Sequence, residues 1–118
     1  MAKILVVEDT KDIRDLVQTL LEMQNYQVIV ADNGAMALGM LAKESVDLII
    51  TDMNMPVMDG LELVRTLRAN RYVVPIILMT ANIGISEANG LAIGANAVIY
   101  KPFMGMSVLL NPVKALLP

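Results

Sequence analysis

The stretch "VDLIITDMNMPVMDG", residues 46–60, decides how this chain folds. It opens on an apolar run of strand length, "VDLIITD" (46–52), that ends in a carboxylate. A methionine-rich turn follows, then Asp59 with Glu62 three positions on, the signature of a helix start. Leu63, Val64 and Leu67 supply that helix with a buried side. A strand running through a short turn into a helix is half of a βαβ unit. Asp52 stands at the junction, where it could cap the helix, hold a metal or act as a nucleophile.

The same grammar repeats on both sides. "KILVV" (3–7) is a continuous apolar run, and Ile13, Leu16, Val17, Leu20 and Leu21 then recur on one face of a helix. "YQVIVA" (26–31) is short and β-branched; Ala37, Leu38, Leu41 and Ala42 mark a second helix after the Asn33-Gly34 turn. "VVPIILMT" (73–80) predicts the fourth strand, with Pro75 near its start, where a missing N–H does least harm. A weaker helix is expected over 85–93, since Gly90 inside it costs about 1 kcal/mol against Ala. Gly94 stands where a helix-ending glycine belongs. "AVIY" (97–100) is the fifth strand, and 106–117 a last helix that Pro112 is expected to shorten or kink.

Strands alternating with helices imply a parallel sheet covered on both faces, and strands buried on both sides read as continuous apolar runs, as these do. The expected architecture is a flavodoxin-like doubly wound (βα)5 three-layer sandwich, sheet order 2-1-3-4-5, in one domain spanning residues 1–118.

Composition narrows the function. Hydrophobic residues make up 56% and charged residues 18%, enough for a packed core and against disorder. Aromatics are only 3%, so that core must be aliphatic and filled out by the ten methionines. A net charge of −3 with scattered basic residues argues against direct nucleic-acid contact. The best apolar stretch, "VVPIILMTA", is far short of the roughly 18 residues a membrane span needs. Glu8 and Asp9 arrive too early for a signal peptide, and the absence of Cys suits the cytosol.

In a parallel sheet all βα loops gather at one edge. The expected strand ends put Glu8, Asp9, Asp52, Thr80 and Lys101 there, with strands 1 and 3 side by side at the switch point. Carboxylates packed that closely need a cation, and with no His or Cys for zinc a hard divalent ion such as Mg2+ fits Glu8, Asp9 and Asp52. Thr80 and Lys101 would then hold the oxygens of a phosphoryl group, with Asp52 the natural carboxylate nucleophile. Asp59 reads as a helix cap and Asp12 as first-turn charge.

"ILVVEDT", "LIITDMNMPVMDG", "ILMTA" and "YKPF", in this order and spacing, resemble the motif regions of the receiver domain of two-component response regulators across essentially the whole chain. The resemblance implies that Asp52 is the phosphoacceptor and that Glu8 and Asp9 hold Mg2+. It implies that Asn54 lends the metal its backbone carbonyl, that Thr80 and Lys101 bind phosphoryl oxygens, and that Lys101–Pro102 is cis. It also implies a sensor histidine kinase or phosphotransfer protein as donor, and an output domain or effector protein as target. Family members usually carry Tyr or Phe three residues before the lysine; here that position is Val98, and where the family's last helix usually carries acidic and basic residues this chain reads "MGMSVLLNPVKALL".

Competing readings are an aspartyl phosphatase or phosphotransferase, a flavin or nucleotide carrier of the same fold, and a receiver that signals without phosphate. Asn54, two residues past Asp52, cannot serve as acid or base, and "EDTKD" is too acidic for a phosphate-binding loop. Met104 and Met106, with Ile83, Ile85 and Val108, could form an apolar patch for a partner or for dimerisation through the strand 4–strand 5 side, or pack locally under a loop.

Overall fold

A computed structural model describes residues 1–81, 87–101 and 105–117 of the chain. Five strands alternate with five helices: β1 (Lys3–Val7), α1 (Lys11–Glu22), β2 (Gln27–Ala31), α2 (Gly34–Leu41), β3 (Leu48–Asp52), α3 (Gly60–Ala69), β4 (Ile76–Thr80), α4 (Glu87–Ala92), β5 (Ala97–Tyr100) and α5 (Met106–Leu116). The strands form one sheet in the order β2-β1-β3-β4-β5, every neighbouring pair parallel. The doubly wound expectation holds.

Alternate residues along each strand feed two cores. Ile4, Val6, Ile50, Ile77, Met79 and Ile99 pack with Val17 and Leu21 of α1 and Leu109 and Val113 of α5. Leu5, Val7, Ile49 and Ile76 turn the other way, onto Ala37 of α2 and Leu63, Val64 and Leu67 of α3. Met53, Leu78 and Ala95 make a smaller cluster with Val98 at its border. Beneath α4, Val98 sets its Cγ2 against Gly90, where no side chain intervenes.

Several boundaries move. β3 begins at Leu48 rather than Val46, β2 at Gln27 rather than Tyr26, and β4 at Ile76 rather than Val73. Val73 is exposed, and Pro75, which has no N–H to give, still accepts from Ile49 N at 3.0 Å through its carbonyl. Leu16, read as part of the buried stripe of α1, is 49% exposed. At 100° per residue it stands roughly 120° round the helix from the line joining Val17 and Leu21. Pro112 lies inside α5, which continues past it to Leu116. Gly94, at φ 114°, follows α4 and donates back to the Leu91 carbonyl as a helix-ending glycine does. Among the described residues no helix is long and apolar enough to cross a membrane.

Candidate functional site

Parallel pairing brings the carboxyl ends of β1, β3, β4 and β5 to one edge. Val7 is in register with Thr51, Asp52 with Met79, and Thr80 with Tyr100. Glu8 and Asp9 follow β1, Asp52 ends β3, Thr80 ends β4, and Lys101 follows β5. Glu8 and Thr80 are fully buried and Asp52 nearly so, whereas Asp9 is exposed.

One ammonium joins the two buried carboxylates. Lys101 Nζ lies 2.9 Å from Glu8 Oε2 and 2.9 Å from Asp52 Oδ1. Carboxylate oxygens of Glu8, Asp9 and Asp52 all fall within 4.8 Å of one another. An all-oxygen, multiply charged donor set of this size fits Mg2+, which takes one or two carboxylates and completes its shell with other oxygens. It offers nothing for a soft metal.

Electrostatics follows from the burial. Loss of solvent raises the Glu8 pKa above its ordinary value, outweighing the Lys101 hydrogen bond that favours the carboxylate; nearby Asp52 raises it further. Burial likewise raises Asp52 despite Lys101. Burial would lower Lys101, but its two carboxylate partners prevail and its pKa is raised. The pocket therefore favours proton or cation uptake.

The backbone holds these groups firmly. Glu8 N donates to Ala31 O at 3.0 Å, Thr10 N to Glu8 Oε1 at 3.2 Å, and Lys101 N to Thr80 O at 2.8 Å. Met53 N reaches Met79 O, and Gly60 N reaches Met53 O, each at 2.8 Å. Thr51 Oγ1 donates to the Asp52 carbonyl at 3.0 Å. Asn54 lies exposed in the loop after β3. Asp59 caps α3, its Oδ1 accepting from Glu62 N at 2.8 Å, so the two aspartates of the loop have separate tasks.

Three participants went unseen in the sequence. Gly60 presses its Cα against the main chain of Asp52 and Met53. Val57 adopts φ 70° while Met58 N donates to Pro56 O at 2.8 Å, which makes a positive-φ γ-turn, a strained form, in the loop beside Asp52. Arg14 Nη1 donates to the Glu8 carbonyl at 3.0 Å and to Asp32 Oδ1 at 2.8 Å. A glycine in the first position of a helix, a valine in a turn and an arginine in the first turns of a helix carry no sequence signal for such roles. Of the expected apolar patch, Met106 is exposed and Val108 packs partly on the core; Ile83, Ile85 and Met104 lie outside the described residues, as does Pro102.

Comparison with known proteins agrees with this fold. The family model described as "Response regulator receiver domain" matches residues 4–114. The chain is 38% identical over 116 residues to the response regulator MprA of Mycobacterium avium and 37% identical to that of Mycobacterium leprae. Those matches take in 98% of this chain but 50% of each relative, so the chain spans about half the length of the curated relatives it matches. Among solved structures, the receiver domain of the Francisella response regulator 1452 superposes with a TM-score of 0.91 at 30% identity, covering 98% of this chain and 96% of that one. The chemotaxis response regulator CheY4 of Vibrio cholerae gives 0.89 at 36%, with 99% of both chains covered. The response regulator TrrA of Thermotoga maritima, solved in complex with Mg2+-BeF, gives 0.90 at 32%, covering 99% of this chain and 100% of that one.

Proposed function

The chain belongs to the response regulator receiver domain family, and from that membership we propose that it is switched by phosphorylation of Asp52. It is the receiver domain of a two-component response regulator, a signalling domain rather than a conventional enzyme. The observation that carries the proposal is the Lys101 ammonium held 2.9 Å from both Glu8 and Asp52, with Asp9 completing the acidic cluster.

The donor is the phosphohistidine of a sensor histidine kinase or phosphotransfer protein. An Asp52 carboxylate oxygen attacks phosphorus; the O–P bond forms as the N–P bond breaks, and the electron pair returns to the imidazole nitrogen. Lys101 and Thr80 hold phosphoryl oxygens, so that most of the rate comes from positioning and charge compensation. The carboxylates of Glu8, Asp9 and Asp52 and the main-chain carbonyl of Asn54 would hold Mg2+, which would supply further positive charge against those oxygens. The Mg2+-BeF complex of TrrA supports a divalent ion in this reading. The Asn54 amide does not ionise near neutral pH and so cannot serve as general acid or base, which speaks against an aspartyl phosphatase.

The added charge shifts the loops after β3 and β4 and changes how an output domain or effector protein is held. Residues 1–118 act as one receiver domain in the cytoplasm, without touching nucleic acid or membrane themselves. With Val98 against Gly90, the relay runs through the seat of α4 on β5 rather than through an aromatic at that position. Dimerisation through the β4–β5 side is a further part of the proposal, supported by exposed Met106.

Intact-mass measurement after incubation with Mg2+ and acetyl phosphate tests the central step. The parent chain gains a phosphoryl group of about 80 Da, and Asp52→Asn gains none. An equal adduct on both, or none on the parent, refutes it.

A further inference from the structure

The side chain of Arg14, the fourth residue of α1, holds one end of the turn that carries Asp9, and the regular helix ladder holds the other. Its Nη1 donates to the Glu8 carbonyl at 3.0 Å, and its main-chain N donates to the Thr10 carbonyl at 2.9 Å. Asp9 lies between those two tethered residues. The same Nη1 is paired with Asp32 Oδ1 at 2.8 Å, just past the end of β2, and the neighbouring Ala31 carbonyl accepts from Glu8 N at 3.0 Å. Glu8, Arg14, Asp32 and Ala31 therefore close a ring of contacts behind the carboxylate cluster.

An ordinary surface ion pair contributes little and has no preferred geometry. This one differs in two respects. The Arg14 side chain is only 17% exposed, and one of its two acceptors is a neutral carbonyl, whose hydrogen bond orients a peptide rather than balancing a charge.

We propose that Arg14 and Asp32 form a positioning pair that holds the Glu8–Asp9 peptide in register for a divalent cation and so sets the cation's affinity without touching it. The proposal rests on the reading of Glu8, Asp9 and Asp52 as the cation's ligands. Groups that orient ligands in this way typically govern affinity by 10- to 100-fold. A field effect predicts the reverse sign, since loss of the cationic Arg14 beside an acidic pocket would strengthen cation binding.

The decisive variant is Arg14→Met with Asp32→Asn, which removes one charge of each sign and leaves the net charge unchanged. Mg2+ alone is titrated into it by calorimetry, and metal-free melting is recorded beside it. Mg2+ affinity is expected to fall about tenfold or more, with little change in metal-free melting. Asp32→Asn by itself keeps an oxygen for Arg14 and stays close to the parent. A double variant that binds Mg2+ as tightly as the parent or tighter overturns the proposal, as does Asp32→Asn losing as much as the double variant. A parent chain that takes up no Mg2+ overturns the ligand assignment as well, so the two failures are told apart.

Discussion

Gly60 lies so close to Asp52 that a methyl group on its Cα would overlap the Asp52 carbonyl oxygen and come within 2.9 Å of Met53 Cα. Both obstacles are main chain, and Gly60 N is already committed to Met53 O. Gly60→Ala must therefore shift the end of β3, the segment that aims the proposed phosphoacceptor. We expect a loss of about 1–3 kcal/mol in urea unfolding, typical of overpacking, together with slower labelling by acetyl phosphate. Wild-type labelling at wild-type stability would show that the contact does not aim Asp52.

Asp52 is held at a loss in the metal-free pocket. Its pKa and that of Glu8 are raised from 3.8 and 4.5 by burial, so the folded chain binds more protons than the unfolded chain above those values. Metal-free stability should fall as pH rises through that window. Asp52→Asn removes one of the two groups, keeps an oxygen for Lys101, and is expected to stabilise the metal-free chain at neutral pH by on the order of 1 kcal/mol. It should also flatten the acid-side pH profile. Denaturant midpoints at pH 5 and 7.5 in a chelator decide it; a less stable variant at pH 7.5 would contradict the account.

Mg2+ should reverse that slope. If Glu8 and Asp52 are ligands as proposed, protons and the cation compete for the same oxygens, and affinity weakens as pH falls toward the raised carboxylate pKa values. In saturating Mg2+ the melting temperature should rise between pH 5 and 7.5, where the metal-free chain shows a fall. Lys101, whose pKa is raised above 10.5, contributes its pairing fully below that value and loses it at higher pH. Parallel pH profiles with and without Mg2+ would remove Glu8 and Asp52 from the ligand set.

Arg68 staples the opposite edge of the sheet. Its Nε donates to Gly94 O at 3.0 Å, Nη1 to Tyr72 O at 2.7 Å and Val74 O at 2.9 Å, and Nη2 to Asn96 Oδ1 at 3.0 Å. Asn96 Oδ1 also accepts from Ile76 N at 2.9 Å, so one guanidinium joins the starts of β4 and β5. Arg68→Met is expected to cost about 2–3 kcal/mol, with Asp52 labelling unchanged where the variant is folded. Strong loss of labelling in folded protein would show coupling between the two edges.

Val57 presents the opposite case, a residue worse than its replacement. It is 81% exposed, so it buries little, yet its φ of 70° is unfavourable for a β-branched side chain. Val57→Gly removes that strain at the smaller expense of chain entropy. A gain of about 1 kcal/mol in thermal unfolding is expected; a loss would mean that the isopropyl group has a contact worth more than the turn's strain.

The alternation of apolar runs with helical periodicity identifies a parallel sheet covered on both faces, and the order 2-1-3-4-5 follows as the usual doubly wound arrangement of five such strands. Strand starts were less legible. Val46, Val73 and Val74 have the composition of strand residues, but the paired segments begin after them. Leu16 has the residue type of a core position, but α1 buries only Val17 and Leu21 completely, and Leu16 lies outside the arc those two define. Of the site, Glu8, Asp9, Asp52, Thr80 and Lys101 were visible because they sit at strand ends, where the fold gathers them. Arg14, Val57 and Gly60 were not, because a carbonyl partner, a backbone torsion and a main-chain contact leave no trace in residue type.

Lys101 divided between Glu8 and Asp52 has a consequence for valence. With all three carboxylates ionised, one ammonium leaves the pocket two charges short of neutrality. A potassium or sodium ion would close half of that gap, whereas a divalent ion closes it in a single binding event. Conversion of Asp52 to an acyl phosphate adds up to about one further negative charge and reopens the imbalance. On the proposed reading the charge balance of the resting domain favours doubly charged cations, and phosphorylation would leave the pocket pulling on whatever positive group its surroundings bring near.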